Sequence, residues 1–274
     1  MTIAHTEHAS AAVTEGSVHS ADGARIVFRR LGSGPAIVMV HGSVATHTAW
    51  MRVARLLSRR YTCFAMDRRG RSHSGAGTAP YSIEREYEDV CAVLDAAGPD
   101  ASLAGHSYGA ICAMGAALLH PVPKLVIYEP PFPVGGLIAG EHRAAYARAI
   151  AADDPDTALE IGLNKFSRID EATISAVRSS RAWSRLRTLA ASWVRELEAV
   201  DSLPASLDRY RALTCSTLML GGSISPEHPL KDASRALVPI LPSVRVETLM
   251  GQGHWALHEA PQMAARLIAD FLAG

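Results

Sequence analysis

Short apolar segments alternate with helical segments along most of this chain, and that alternation restricts the possible folds more than any other feature. Ala36–Val40 is a continuous apolar run, which is typical of a strand buried on both faces of a parallel sheet. In Ser82–Ala97 the apolar residues recur at helical spacing, which predicts an amphipathic helix. By the same criteria we predict further strands at Gly16–Ser20, Ile26–Arg30, Tyr61–Met66, Ser102–Gly105, Leu125–Tyr128, Ser216–Leu220 and Arg245–Leu249, and further helices at Thr48–Arg59, Ala110–Leu119, Pro229–Leu237 and Pro261–Leu272. Short links between these segments imply an α/β fold whose eight-stranded, mostly parallel sheet has helices on both faces.

The region from about Pro131 to Arg211 interrupts this alternation, because it contains helical patterns and no strand pattern. Its clearest helix is Trp183–Val200, in which the apolar side chains share one face. The region is therefore predicted to be a helical cap, inserted after the sixth strand and lying over one end of the sheet. The predicted domains are an α/β core, residues 1–130 and 212–274, and the cap, residues 131–211. Residues 1–15 are polar and Ala-rich without periodicity, and they are predicted to be disordered.

The composition excludes several classes of partner. Hydrophobic residues make up 48% of the chain, and 27 basic residues balance 27 acidic ones, so neither nucleic acid nor a membrane surface is expected as a partner. No run of 18 apolar residues and no secretory signal occur in the sequence. The four cysteines form no C-x-x-C pair, which favours reduced thiols and a cytoplasmic location. The sequence contains no metal-ligand cluster and no Gly-rich phosphate loop, so no cofactor or metal is expected. The oligomeric state is left open.

One short motif indicates a catalytic nucleophile. Gly105-His106-Ser107-Tyr108-Gly109 matches G-x-S-x-G, and it stands between a predicted strand and an Ala-rich helix, as that motif requires. Glycine on either side removes the steric clash of a sharp strand-to-helix turn. The motif predicts that Ser107 is a nucleophile exposed at the end of the strand.

A late histidine and two backbone N–H groups complete the predicted reaction centre. His254 lies in a Gly-flanked loop after the last predicted strand, where a general base is expected in the chain order Ser, acid, His. His41-Gly42-Ser43 directly follows the strand Ala36–Val40. The N–H groups of Ser43 and Tyr108 are therefore predicted to form an oxyanion hole.

Together these segments resemble the serine-nucleophile α/β-hydrolases of the helical-cap type. A further segment, Asp67-Arg68-Arg69-Gly70-Arg71-Ser72-His73-Ser74, resembles the D-x-R-G-x-G-x-S segment of that superfamily, and the similarity runs from about Gly16 to Ala273. The resemblance implies an α/β-hydrolase fold, catalytic roles for Ser107 and His254, and a substrate pocket shaped by the cap. It also implies that dehalogenase chemistry is absent, since members with that chemistry carry Asp in place of the serine.

The acid of the triad departs from the family pattern. The family's acid usually follows the penultimate strand as G-x-x-D, and Ile224 occupies that position here. Some members carry the acid after the strand that follows the nucleophile helix, and in this chain Glu129 stands there, before Pro130-Pro131. We predict that a Glu129 oxygen lies within about 3 Å of a His254 ring nitrogen, a normal hydrogen-bond distance. Glu227 and a site without a working acid are the alternatives.

The predicted function is hydrolysis of an ester or lactone of a small, largely apolar molecule through an acyl-enzyme, as in carboxylesterases and lactonases. The substrate-binding residues are not identified by the sequence. The alternative is a protein of the same fold that performs acyl transfer or cyclisation, or has lost hydrolysis, and Ile224 is its main support. Both hypotheses imply a small-molecule substrate.

Overall fold

The chain forms one eight-stranded sheet in a computed structural model that describes residues 12–274. The strands are β1 (Thr14–His19), β2 (Arg25–Leu31), β3 (Ala36–Val40), β4 (Thr62–Met66), β5 (Ser102–His106), β6 (Lys124–Tyr128), β7 (Ser216–Gly222) and β8 (Val244–Leu249). Their order in the sheet is β1-β2-β4-β3-β5-β6-β7-β8. β2 pairs antiparallel with both β1 and β4, and the pairs from β4 to β8 are parallel. The prediction of a mostly parallel, eight-stranded sheet is confirmed.

The α-helices connect the strands and cover both faces of the sheet. They are α1 (Met51–Leu57), α2 (Ile83–Ala97), α3 (Tyr108–Leu119), α4 (His142–Ala151), α5 (Pro155–Ile161), α6 (Glu171–Arg178), α7 (Arg181–Asp201), α8 (Asp232–Leu237), α9 (Ala256–Glu259) and α10 (Pro261–Ala273). Side chains alternate between the two faces of a strand, and β3 shows the result. Val38 and Val40 pack into the core under α2, α3 and α8, whereas Ile37 and Met39 pack into the core under α1 and α10. β3 is apolar on both faces because a separate layer of helices covers each face.

Helices α4 to α7 lie between β6 and β7, and residues 131–211 contain helices and loops but no strand. Trp193 of α7 and Phe166 belong to the same buried apolar cluster as α2 and α3 of the core. A smaller cluster, which includes Trp183 and Leu163, lies among the cap helices themselves. The cap is therefore joined to the core by continuous apolar packing. The division of the chain into domains at residues 131 and 211 stays a prediction.

The N-terminal prediction needs one correction. Residues 1–11 lie outside the described residues, but Thr14 and Glu15 belong to β1 and are not disordered. The Glu15 carboxylate lies 2.8 Å from the guanidinium of Arg29 on β2, and both residues 14 and 15 pair with β2 in the antiparallel ladder. Among residues 12–274, no helix combines the length and the apolar character needed to cross a membrane.

Candidate active site

Ser107 lies in a sharp turn between β5 and α3. Its backbone dihedrals are φ 56° and ψ −129°, a conformation that side-chain-bearing residues rarely adopt and that is found mainly at functional sites. Tyr108 begins the helix directly after it. The turn places Ser107 on the wall of a cavity between the core and the cap.

Two glycines make this turn sterically possible. A Cβ atom added at Gly105 would lie 2.4 Å from the carbonyl oxygen of Gly109, and one added at Gly109 would lie 2.4 Å from the carbonyl oxygens of both Val40 and His41. Backbone atoms cannot move aside as a flexible side chain can. Glycine is therefore required at both positions for β5, α3 and the loop after β3 to pack this closely.

Gly109→Ala is expected to lower the free energy of unfolding by about 3 kcal/mol or more, since overpacking against backbone forces a shift of the chain. Gly75→Ala is the matched control. A Cβ at Gly75 would meet its neighbours at 3.6 Å, an ordinary contact distance. Urea denaturation of the two variants and the parent checks the difference. A Gly109→Ala protein as stable as Gly75→Ala would contradict the steric argument.

His254 is hydrogen-bonded to Glu129, which directly follows β6. Nδ1 of His254 lies 2.7 Å from Oε2 of Glu129, and the backbone N–H of Gly222 donates to Oε1 of Glu129 at 2.6 Å. A carboxylate that accepts at both oxygens orients Nδ1–H toward itself, which leaves Nε2 of His254 unprotonated and able to act as a base. Glu129 is 1% exposed, and its φ of 49° is left-handed. The distance agrees with the one predicted from the sequence, and the catalytic role of Glu129 stays a prediction.

The two other positions considered for the acid are exposed. Ile224 is 71% exposed. The Glu227 side chain is 66% exposed and forms ion pairs with Lys231 and Arg235 on the protein surface. Neither position offers a buried carboxylate to the histidine, so Glu129 is the acid that the geometry favours.

The loop of His254 is held by side chains of β5 and β6. Nε2–H of His106 donates to the backbone carbonyl of His254 at 2.9 Å, and the Tyr128 hydroxyl donates to the carbonyl of Gly253. The rings of His106 and His254 are 4.5 Å apart between centroids. Burial, with the neighbouring His254 as a second cause, lowers the pKa of His106 well below its ordinary value. His106 is therefore neutral, and it supports the His254 loop without competing for the proton.

Ser43 and Tyr108, the predicted oxyanion-hole residues, both line the cavity beside Ser107. The N–H of Tyr108 belongs to the first residue of α3 and has no carbonyl partner within the helix. Gly42 allows the Ser43 loop to approach, because a Cβ at position 42 would lie 2.9 Å from Cβ of Ser107. The buried His41 ring donates from Nδ1 to the carbonyl of Gly42 at 2.8 Å and thereby fixes this loop.

The cavity itself is about 440 Å³ in volume, within the range of small-molecule sites. Much of its wall is apolar and comes from the cap, including Leu163, Phe166, Val177, Leu186, Trp193 and Leu197. Ser107 and His254 both line it, although the hydrogen bonds formed within residues 12–274 do not include one between these two side chains. No group of three or more His, Cys, Asp or Glu side chains suited to a metal is present in the described part of the chain.

A buried arginine, not predicted from the sequence, lies behind the oxyanion loop, the segment Gly42-Ser43 that follows β3. Arg68 forms a two-point ion pair with Glu86 on α2, at 3.0 and 2.8 Å. Its Nη1 donates to the carbonyl of Gly42 at 3.1 Å, and its guanidinium lies 4.5 Å from the ring centroid of Tyr108. Arg68 thus contacts Tyr108, one of the two predicted oxyanion-hole residues, and Gly42, which directly precedes the other.

Comparison with known proteins agrees with this geometry. The alpha/beta hydrolase family model matches residues 37–267. The chain belongs to this family. It is 26% identical to a fluoroacetate dehalogenase from a Burkholderia species over 88% of both chains, and 25% identical to the mouse sn-1-specific diacylglycerol lipase ABHD11 over 87% of this chain and 81% of the lipase.

Solved structures agree with the family assignment. An alpha/beta hydrolase from Sphaerobacter thermophilus superposes with a TM-score of 0.83 at 28% identity, covering 94% of this chain and 100% of that one. The esterase RhEst1 from a Rhodococcus species superposes with a TM-score of 0.76 at 23% identity, covering 95% of this chain and 98% of the esterase, a likeness that concerns the fold alone. The family membership makes the chain an enzyme of the hydrolase class. The nucleophile and the substrate do not follow from it.

Proposed function

We propose that this enzyme cleaves an ester or lactone of a small, largely apolar molecule through an acyl-enzyme on Ser107. The main support is the contact of 2.7 Å between Glu129 and His254, because it supplies the carboxylate that Ile224 cannot. A histidine held in this tautomer beside a cavity-facing serine is the arrangement that activates a hydroxyl nucleophile.

The proposed reaction has two steps. The Ser107 hydroxyl oxygen attacks the substrate carbonyl carbon while Nε2 of His254 takes its proton, and the N–H groups of Ser43 and Tyr108 hold the oxyanion. The alcohol leaves with the proton from His254, and Ser107 retains the acyl group. Water then attacks the acyl-enzyme with His254 again as base, which releases the acid and restores the serine. Glu129 stabilises the imidazolium in both steps.

Dehalogenation is not proposed, although one relative is a fluoroacetate dehalogenase. Displacement of a halide by a serine hydroxyl would leave an ether on the enzyme, and water does not cleave ethers readily. A carboxylate nucleophile would leave an ester, which water can cleave. The residue in the turn after β5 is Ser107, so ester chemistry is the reaction that returns the enzyme to its starting state.

We place the enzyme in the cytoplasm as part of the same proposal, with a small molecule as its partner. All four cysteines, Cys63, Cys91, Cys112 and Cys215, are free thiols, as expected in a reducing compartment. Burial raises the pKa of the Cys63 thiol to about 12, which makes it inert at neutral pH.

A fluorophosphonate probe tests the proposal directly. We expect stoichiometric labelling of Ser107, found by mass spectrometry of the digested protein, together with hydrolysis of p-nitrophenyl butyrate. The label should be absent from Ser107→Ala and unchanged in Ser179→Ala, a serine on the cap surface. An unlabelled parent protein, or fluoride release from fluoroacetate without ester hydrolysis, would refute the proposal and favour the non-hydrolytic alternative or dehalogenation, respectively.

A further inference from the structure

A buried charge cluster joins the core to the cap behind the oxyanion loop. Arg68, Arg71 and Glu86 come from the core, and Glu196 comes from α7 of the cap. Oε1 of Glu196 lies 2.5 Å from Nη2 of Arg68 and also contacts Nη2 of Arg71. All four side chains are buried. The cluster therefore places two cations and two anions in the interior with no net charge.

Three buried atoms of this cluster form no hydrogen bond within residues 12–274: Nε and Nη1 of Arg71, and Oε2 of Glu196. Of these two residues, only Glu196 lies in the wall of the cavity. Oε2 of Glu196 is buried and forms no hydrogen bond with any of residues 12–274, whereas Oε1 already accepts from two arginines. Leaving a buried carboxylate oxygen unpaired is unfavourable, since it has lost water and gained no donor. Such an exception requires an explanation.

Glu196 also lines the cavity that contains Ser107 and His254. Most other cap residues in that wall, such as Leu163, Phe166 and Leu197, are apolar. Glu196 is thus an acceptor in a largely apolar wall, and small-molecule sites use a few such groups to orient a ligand.

We propose that Oε2 of Glu196 accepts a hydrogen bond from a neutral donor on the substrate, a hydroxyl or an amide N–H carried a few bonds from the reacting carbonyl. The inference rests on the proposed function, which it narrows to esters or lactones with one such donor on an otherwise apolar body. Glu196 is then a specificity-determining residue of the cap.

The charges of the cluster explain why the donor is neutral. A substrate anion would be repelled by the carboxylate. An ammonium group would gain little, because Arg68 and Arg71 already neutralise Glu196 and would repel a third cation. Burial works to lower the pKa of Arg68, but the charges of Glu196 and Glu86 outweigh it and raise that pKa well above its ordinary value. Arg68 therefore stays protonated and keeps Oε1 occupied.

The contacts of Arg68 indicate where the donor lies. The same guanidinium that binds Glu196 donates to the carbonyl of Gly42 and lies against the ring of Tyr108. The Arg68 guanidinium thus bridges Glu196 and the loop that is proposed to hold the oxyanion. A donor on the chain next to the carbonyl is therefore closer to Glu196 than a donor at the far end of a long leaving group.

A substrate panel on the unmodified enzyme is the first test. p-Nitrophenyl alkanoates with a hydroxyl at successive chain positions are compared with their deoxy and methoxy counterparts. We expect one position at which the hydroxyl raises kcat/KM about 10-fold to 100-fold over the deoxy ester, the range of a hydrogen bond to a charged group, while methoxy gives no gain. Hydroxyl esters that are slower than their deoxy counterparts at every position would overturn the inference, and so would an amino ester faster than the best hydroxyl ester.

Binding to Ser107→Ala separates this inference from the proposed function. This variant cannot form the acyl-enzyme, so calorimetry measures the Kd of the same esters without turnover. A hydroxyl preference in Kd supports the Glu196 subsite even if the parent fails to hydrolyse esters. Ester hydrolysis without any hydroxyl preference in kcat/KM or Kd supports the proposed function and overturns the subsite.

Glu196→Gln assigns the preference to the residue. The amide can keep its oxygen toward the arginines and present its NH2 group to the cavity, which replaces an acceptor with a donor. We expect the ratio of kcat/KM for the hydroxy ester to kcat/KM for the deoxy ester to fall about 10-fold or more. The kcat/KM of the methoxy ester should rise relative to that of the hydroxy ester and that of the deoxy ester. Glu198→Gln, an exposed position on the same helix, should keep the parent ratio, and a parent ratio in Glu196→Gln would overturn the assignment.

A trapped complex tests the Glu196 contact without any substitution in the buried cluster. This matters because removing one charge from a buried ion pair can prevent folding. The unmodified enzyme is reacted with a fluorophosphonate that carries the preferred hydroxyalkyl chain, and the adduct is crystallised. We expect the hydroxyl oxygen within about 3 Å of Oε2 of Glu196. A hydroxyl bonded elsewhere, with ordered water on Oε2, would overturn the inference.

Discussion

Ser107→Ala is expected to lower kcat/KM for p-nitrophenyl butyrate on the order of 10⁶-fold, the scale of loss when the nucleophile of a triad is removed. Ser107 is the residue held at the sharp turn between β5 and α3, with φ 56° and ψ −129°, and the hydroxyl of the next residue, Tyr108, is hydrogen-bonded to Tyr81. His254→Ala should lower kcat/KM to a similar level, because an alcohol that cannot give up its proton is a weak nucleophile at neutral pH.

The double variant Ser107→Ala/His254→Ala is the decisive measurement. Residues that act as one unit give strongly non-additive losses. The kcat/KM of the double variant should therefore lie within a few-fold of that of the slower single variant. Ser179→Ala and His142→Ala, both outside the cavity, are the matched controls. Losses that multiply in the double variant would show that Ser107 and His254 act in separate steps.

The sequence predicts the architecture well because each element carries its own periodic signal. The apolar run Ala36–Val40 is buried on both faces as β3, and the helical stripe Trp183–Val200 lies within α7. The predicted helix Pro229–Leu237 is less regular. α8 begins only at Asp232, after a wide turn at Glu227–Lys231 in which His228 has non-helical dihedrals. Periodicity reports which side chains are apolar, and it is insensitive to such local changes of backbone geometry.

The candidate site could be found from the sequence where it depends on strand ends. Ser107, Glu129 and His254 each follow a parallel strand, and the carboxyl ends of parallel strands lie along one edge of the sheet. Their proximity therefore follows from topology. The contact between Arg68 and Glu196 joins residues 128 positions apart through the cap, and strand order says nothing about how a cap helix is placed.

One signal for Glu196 was nevertheless present in the sequence. Trp193, Leu197 and Val200 form the buried face of α7, and Glu196 lies three residues after Trp193 and four before Val200. A carboxylate at helical spacing within an apolar stripe must be buried, and buried carboxylates need partners. The sequence thus indicates a buried acid in the cap, although not that Arg68 and Arg71 are its partners.

The second large effect is expected for Glu129→Gln, which should lower kcat/KM on the order of 10³-fold to 10⁴-fold, as for the buried aspartate of serine proteases. Gln keeps the shape of the side chain, and its oxygen can still accept the N–H of Gly222, now 2.6 Å from Oε1. Its NH2 group would then face His254 and favour the tautomer with a bare Nδ1. That tautomer carries its proton on Nε2, so it cannot accept one from Ser107.

Glu227→Gln is the matched control, since it makes the same chemical change in a side chain that is 66% exposed and paired with surface cations. It should retain nearly the parent rate. Circular dichroism melting of both variants separates a loss of chemistry from a loss of folding, because Glu129 also closes the end of β7 through Gly222. A folded Glu129→Gln enzyme as fast as the parent would remove the acid from the proposed mechanism. The contact of 2.7 Å with His254 would then be structural, and catalysis would rest on Ser107, His254 and the oxyanion hole alone.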